Sequence, residues 1–244
     1  CGIKKTDSDA ATAIRTIVVL IFSWIMVWIV DSAPTITTLS AKTWIFLILS
    51  GLATGASWLC YFRALQLGDV NKVVPIDKSS TILTIVLALI FLGEPISWVK
   101  GAAVVLIGAG TFLMIEKKAV SGQKQEKKSW LLYAVLSAVF ASLTSILGKI
   151  GIDGVESNLG TAIRTGVVLI FSWLMVFVVG CQNAVSTITP RALVFLALSG
   201  AATGLSWLCY FKALQLGDVN KVVPIDKSST VLTILLAAIF LQEG

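Results

Sequence analysis

The chain has 244 residues and contains no histidine, and only 13% of its residues are charged. Without histidine it lacks the commonest general base and a common metal ligand. It also shows no glycine-rich phosphate loop and no cysteine spacing typical of metal sites. These absences predict a protein that is not an enzyme and that holds no metal and no cofactor.

Cysteine is scarce as well. Two of the four cysteines, Cys60 and Cys209, lie inside apolar runs, and Cys1 and Cys181 have no equivalent partner, so we expect no disulfide framework. The formal net charge of +6 lies in loops and at the ends of apolar runs. No nucleic-acid-binding motif accompanies it, which favours a membrane surface over nucleic acid as the partner.

Hydrophobic residues, in contrast, make up 57% of the chain, and the mean hydropathy is +0.92. Their runs are continuously apolar and long enough to cross a hydrocarbon core of about 30 Å, which predicts membrane-spanning helices. The eight predicted spans are 13–30, 43–66, 74–92, 97–115, 130–150, 161–179, 192–214 and 223–241. The fold class is therefore an all-α polytopic membrane protein.

The sequence is an internal duplication. Residues 64–81 and 213–230 are the same eighteen letters, ALQLGDVNKVVPIDKSST, and the flanking apolar stretches match at the same offset of 149 residues. A lysine-rich segment separates the copies. We expect a first unit at 1–118 that lacks its first helix, a basic linker at 119–129, and a second unit at 130–244 that lacks its last helix.

Each complete unit would contain five helices, counted from the spans that begin near Trp130, Thr161, Ala192 and Val223 and from the span near Ser97 of the other copy. An odd number of helices makes the second unit enter the membrane with the opposite orientation. Such inverted repeats, with a site near the midplane, recur in secondary transporters. The sequence therefore predicts two inverted five-helix repeats, with eight helices present, and points to alternating access.

The order of motifs in the repeat resembles that of a known family. Pro75 is followed by the segment Phe91-Leu92-Gly93-Glu94, by Gly101 and by the small-residue run 108–110, as in the EamA-type family of the drug/metabolite transporter superfamily. The second copy departs by having Gln242 where the first has Gly93. The resemblance covers essentially the whole chain. It implies a ten-helix fold with substrate in a central cavity between the two halves.

Together these observations predict a secondary transporter of small metabolites or drugs, multi-pass in the bacterial inner membrane and driven by a solute or ion gradient. Its expected partners are a small-molecule substrate and membrane lipid. A second chain could also supply the absent helices and form a homodimer. The alternative function is a non-transporting membrane scaffold or partner subunit, which needs no water-filled cavity.

The main candidates for substrate or proton binding are charged residues in the fourth helix of each unit, namely Asp77, Lys78, Asp226 and Lys227. Ionisable groups within a span are costly and tend to mark a substrate or ion path. A structural alternative remains open. If Pro75 occupies the first helical position, Asp77 interacts favourably with the helix dipole and Lys78 extends to the interface.

Aromatic residues at i and i+3 form a second set of candidates, as cavity walls: Trp58, Tyr61, Trp207 and Tyr210. Aromatic faces attract organic cations, so a cationic or aromatic substrate is one hypothesis and ordinary helix packing is the other. The glycine pairs Gly51/Gly55 and Gly200/Gly204 predict close helix contacts.

Other charged residues are interpreted as structural. We expect Lys72, Lys221, Arg15 and Arg164 to be interfacial anchors near helix starts. Glu94 and Glu243 end apolar runs, where a carboxylate reaches water or caps a neighbouring helix.

Overall fold

A computed structural model describes residues 8–68, 70–95, 98–113, 129–180 and 188–229, and the single positions 182, 185 and 232. These described residues are helical and include no strand. Their α-helices are α1 (Ser8–Ile29), α2 (Ala41–Leu67), α3 (Val70–Lys78), α4 (Ser80–Leu92), α5 (Trp98–Leu113), α6 (Ser129–Gly151), α7 (Ser157–Val179), α8 (Pro190–Leu216) and α9 (Val219–Lys227). A short 3-10 helix, Ala33–Thr38, joins α1 to α2.

Six segments of the described part are long and apolar enough to cross a membrane, which confirms six of the predicted spans. They are Ala10–Ile29, Ala41–Leu67, Lys72–Leu92, Ser129–Gly151, Ser157–Val178 and Pro190–Leu216. The span predicted at 97–115 is helical as α5 but has only 16 described residues. The span predicted at 223–241 lies mostly outside the described residues. The membrane fold class is as predicted, although the count of spanning helices differs.

The fourth helix of the repeat is interrupted, and this corrects one sequence-based expectation. Pro75 lies inside α3 and not at the first helical position, so Asp77 falls in the last turn of α3. A proline in a helix interior removes one hydrogen bond and disturbs the preceding turn. The helical path breaks at Ser79 and resumes as α4. The predicted interaction of Asp77 with a helix N-terminus is therefore wrong for α3.

Two sets of hydrogen bonds give the relative directions of α2, α6 and α8. Ser50 Oγ donates to Thr144 O at 2.9 Å and Ser57 Oγ donates to Ser137 O at 3.0 Å, so α2 and α6 are antiparallel. The Ser145 and Tyr210 hydroxyls are 2.8 Å apart, and Gln215 Nε2 donates to Ile152 O at 2.9 Å. Helices α6 and α8 are therefore parallel. Since α2 and α8 are repeat copies, the copies run in opposite directions, as predicted.

The glycine pairs form two equivalent seams between the copies. A Cβ added to Gly51 would lie 2.8 Å from Val167 Cβ, and one added to Gly200 would lie 2.7 Å from Val18 Cβ. Val18 and Val167 are themselves repeat equivalents, so α2 packs on α7 as α8 packs on α1. This reciprocal contact is the pattern of a two-fold axis. It confirms the predicted close contacts at both glycine pairs.

Gly51→Ala is expected to lower the free energy of unfolding by about 1–3 kcal/mol, because the new methyl group overpacks the seam. The Cβ would also approach Arg164 O to 2.9 Å, and backbone cannot move aside cheaply. Gly166→Ala in α7 is the matched control, since a Cβ there meets nothing within 4 Å. That variant should be neutral or stabilised by up to about 1 kcal/mol through helix propensity. Thermal melts in detergent compare the two, and equal effects would contradict the close contact.

Candidate functional site

A cavity of about 240 Å³ lies where the two copies meet. Helix α2 of the first copy and helices α6, α7, α8 and α9 of the second copy contribute to its wall. The lining residues are Thr54, Ser57, Trp58, Ala141, Thr144, Ser145, Arg164, Ser206, Trp207, Tyr210, Phe211, Asp226 and Lys227. Hydroxyl, charged and aromatic groups therefore converge on one interior space.

Three of the four predicted aromatic residues line this cavity. Trp58 and Trp207, which are repeat equivalents, approach each other with ring centroids 6.1 Å apart. Tyr210 is fixed by its hydrogen-bonded contact with Ser145. Tyr61 instead packs in a separate apolar cluster with Ala64, Val73 and Ala134, outside the cavity wall described here. The repeat thus places equivalent tyrosines in different surroundings.

The four charged residues predicted for the site lie in different surroundings. Asp226 and Lys227 line the cavity with their charged atoms 3.8 Å apart and about a third of each side chain exposed. Asp77 instead accepts a 2.7 Å hydrogen bond from Ser137 Oγ of α6. Lys78 is within electrostatic range of Asp77, Asp226 and Lys227. Neither Asp77 nor Lys78 is among the described residues that line this cavity.

Sequence reasoning missed the serine and threonine residues of the cavity wall and one charged residue, Arg164. Its side chain is only 1% exposed. Its Nη2 donates to Thr54 Oγ1 at 2.6 Å, and its Nε donates to Ser50 Oγ at 3.3 Å. The guanidinium carbon also lies 5.2 Å from the ring centroid of Trp207 and 4.3 Å from that of Phe211. Arg164 is thus an interior residue, and the prediction of an interfacial anchor is wrong.

Arg164 was assigned to the interface because the start of α7 was predicted too late in the sequence. The predicted span begins at residue 161, which places Arg164 in the first turn, but α7 begins at Ser157. The Glu156 carboxylate caps it by accepting the N–H groups of Asn158 and Leu159 at 2.8 and 3.1 Å. Arg164 therefore lies about two turns inside the helix. The acidic residue followed by polar ones at 156–158 is the sequence signal of this earlier start.

Glu94 connects the copies at a second place. Its carboxylate is 9% exposed and accepts the backbone N–H groups of Val219 and Asn220 at 2.7 and 2.9 Å. These are the first two residues of α9, so a residue of the first copy caps a helix of the second. Asp218, which precedes α9, pairs with Lys221 instead. The prediction that Glu94 caps a neighbouring helix is confirmed, and Glu243 lies outside the described residues.

Comparisons with known proteins agree with this architecture. An uncharacterized transporter in the cobO 3' region of Sinorhizobium sp is 45% identical over 116 residues, which are 48% of this chain and 82% of that protein. The uncharacterized transporter YxxF of Bacillus subtilis (strain 168) is 23% identical over 173 residues, 69% of this chain and 54% of that protein. The EamA-like transporter family matches residues 2–116 and 128–244. The chain belongs to the EamA-like transporter family.

Proposed function

We propose that this protein is a secondary transporter that carries a small organic solute through the cavity between its inverted copies. The observation that carries the proposal is the convergence of Arg164, Asp226, Lys227 and hydroxyl groups on an interior space of about 240 Å³. Ionisable groups inside a membrane protein are costly and are kept where they serve a path. The relatives named above are bacterial, and the membrane proposed is the bacterial inner membrane.

The symmetry of the contacts supports alternating access. Inverted copies can exchange their conformations and so open the same cavity first to one side and then to the other. At the seams, Gly51 and Gly200 let the helices of the two copies approach closely. We propose that the helices rock against each other at these contacts. A solute or ion gradient supplies the energy, and Asp226 and Lys227, which line the cavity, are the proposed groups for substrate or proton binding.

A scaffold or partner subunit is the alternative. Small-residue seams serve a scaffold equally well, because they only require close helix packing. A scaffold has no need, however, of charged and hydroxyl groups directed into a shared cavity. The cavity therefore favours the transporter.

Thr144→Trp should abolish solute exchange, because Thr144 lines the cavity on α6 and an indole there fills it. The assay is exchange of radiolabelled organic acids, amides, amines and sugars across proteoliposomes without ATP. Leu198→Trp is the matched control, since Leu198 on α8 is an exposed apolar residue. It should exchange like the wild type. Folded wild-type protein that exchanges no solute would favour the scaffold, and equal loss in both variants would remove the cavity from the path.

A further inference from the structure

Arg164 carries a positive charge that the described residues do not neutralise. Its acceptors are two hydroxyl groups, those of Ser50 and Thr54, and no carboxylate lies within 4 Å of it in the part of the chain that the structure describes. A buried charge without a counter-ion is strongly unfavourable. The cavity that Arg164 lines is a place from which such a partner can reach the guanidinium.

The charges of the cavity wall define the sign of that partner. Three side chains of the wall carry a formal charge, namely Arg164, Asp226 and Lys227. Asp226 and Lys227 are adjacent, 3.8 Å apart, and offset each other. The wall is left with one net positive charge, which a monoanion or the anionic end of a larger molecule would balance.

Two of the aromatic faces in the cavity wall are already occupied by a cation. The Arg164 guanidinium lies over the rings of Trp207 and Phe211. A cationic substrate would have to approach these faces past a fixed positive charge. The geometry therefore argues against the organic-cation hypothesis that the aromatic pattern suggested in the sequence.

We infer that Arg164 binds the carboxylate of a small organic acid whose apolar body packs against the paired Trp58 and Trp207 side chains. This inference rests on the proposed function and names its substrate class. A guanidinium matches the two oxygens of a carboxylate with two parallel hydrogen bonds. A carboxylate is preferred to a phosphate dianion because it balances the single net charge of the wall. The cavity lies below the range of about 300–1,000 Å³ typical of drug-sized sites, so the acid is small.

The test uses sets of probes with the same ring and different charge, measured as thermal stabilisation of the purified full chain. One set is benzoate, benzamide and benzylamine, and a second is indole-3-acetate, indole-3-acetamide and tryptamine; phenyl phosphate represents the phosphate source. Carboxylates should stabilise the wild type, whereas the amides should bind about 10- to 100-fold more weakly because the charge-assisted hydrogen bonds are lost. The amines should not bind. Equal stabilisation by amines or amides, stronger stabilisation by phenyl phosphate, or no stabilisation by any carboxylate would overturn the inference.

Two substitutions test whether Arg164 is responsible for the stabilisation by carboxylates. Arg164→Gln should remove the response to carboxylates, and Arg164→Lys should restore part of it, since the charge returns without the planar fork. Arg63→Gln is the matched control, because Arg63 is an exposed arginine of α2 that bonds Gln66. Melting without probe shows which variants are folded. A folded Arg164→Gln that still responds to carboxylates contradicts the assignment, and if it does not fold, Arg164→Lys decides, because the inference requires its response to be weakened.

The exchange assay separates this inference from the function on which it rests. Exchange of amines or sugars but not of carboxylates would leave the transporter standing and refute the carboxylate site. Exchange of no solute would refute the transporter itself.

Discussion

Glu94→Ala is expected to lower the free energy of unfolding by about 3–5 kcal/mol, because each of two hydrogen bonds to a charged group contributes about 1.5–3 kcal/mol. The variant leaves the N–H groups of Val219 and Asn220 without their acceptor at the start of α9. Those N–H groups also carry the positive end of the helix dipole, which a carboxylate stabilises. Thermal or denaturant unfolding in detergent measures the loss.

The control for this variant is a carboxylate that lies exposed in a loop and caps no described helix of the other copy. Asp153 lies exposed in the connection between α6 and α7, and Asp153→Asn should change stability by less than about 0.5 kcal/mol. Glu94→Gln should fall between the two, since an amide oxygen can accept one bond without the charge. If Glu94→Ala also changed the free energy of unfolding by less than about 0.5 kcal/mol, the prediction would be wrong. Water would then replace the carboxylate at the start of α9.

The location of Glu94 makes this bond more than a local cap. It joins the end of α4 in the first copy to α9 in the second, across 125 positions of sequence. If one copy rocks against the other, these hydrogen bonds either break or move together with both helix ends. In the sequence, Glu243 is the repeat equivalent of Glu94, and the start of α3 is the repeat equivalent of the start of α9.

The helices and their inversion followed from local features of the sequence. Long apolar runs can only become helices in a bilayer, and a repeat of 149 residues with an odd number of spans must invert. The glycine seams were also predictable, because Gly51 and Gly200 stand at helical spacing from second glycines. Such features depend on neighbours in sequence and need no knowledge of tertiary contacts.

The site was predicted less well, for two different reasons. Arg164 was misplaced because a helix boundary was set four residues late, which changes a buried residue into an interfacial one. Asp77 and Asp226 could not be distinguished at all, since their surrounding eighteen residues are identical. Helix α6 makes the difference, because Ser137 bonds Asp77 while Asp226 faces the cavity. Local sequence contains no information about such a distant partner.

The different surroundings of Asp77 and Asp226 lead to a second prediction with a large expected effect, on carboxylate binding. Asp226→Asn should tighten the binding of a monocarboxylate by about 30-fold, because a like charge in the same cavity disfavours it. The figure corresponds to about 2 kcal/mol, for a separation taken as about 8 Å and an effective dielectric constant of about 20. Removing this carboxylate leaves Lys227 and Arg164 as two unbalanced positive charges in the wall. Tighter binding should also slow release of the acid, and therefore its exchange.

Asp77→Asn is the internal control, because it makes the same change in the same eighteen residues. Its carboxylate accepts a hydrogen bond from Ser137 and does not line the cavity, so carboxylate affinity should shift by less than the effect at Asp226, about threefold at most. Probe titration of both variants by thermal shift gives the comparison. Weaker carboxylate binding in Asp226→Asn would show that Asp226 itself holds the substrate, whereas equal shifts in the two variants would show that the copies contribute equally. Only a larger tightening at Asp226 agrees with a cavity whose net positive charge selects an anion.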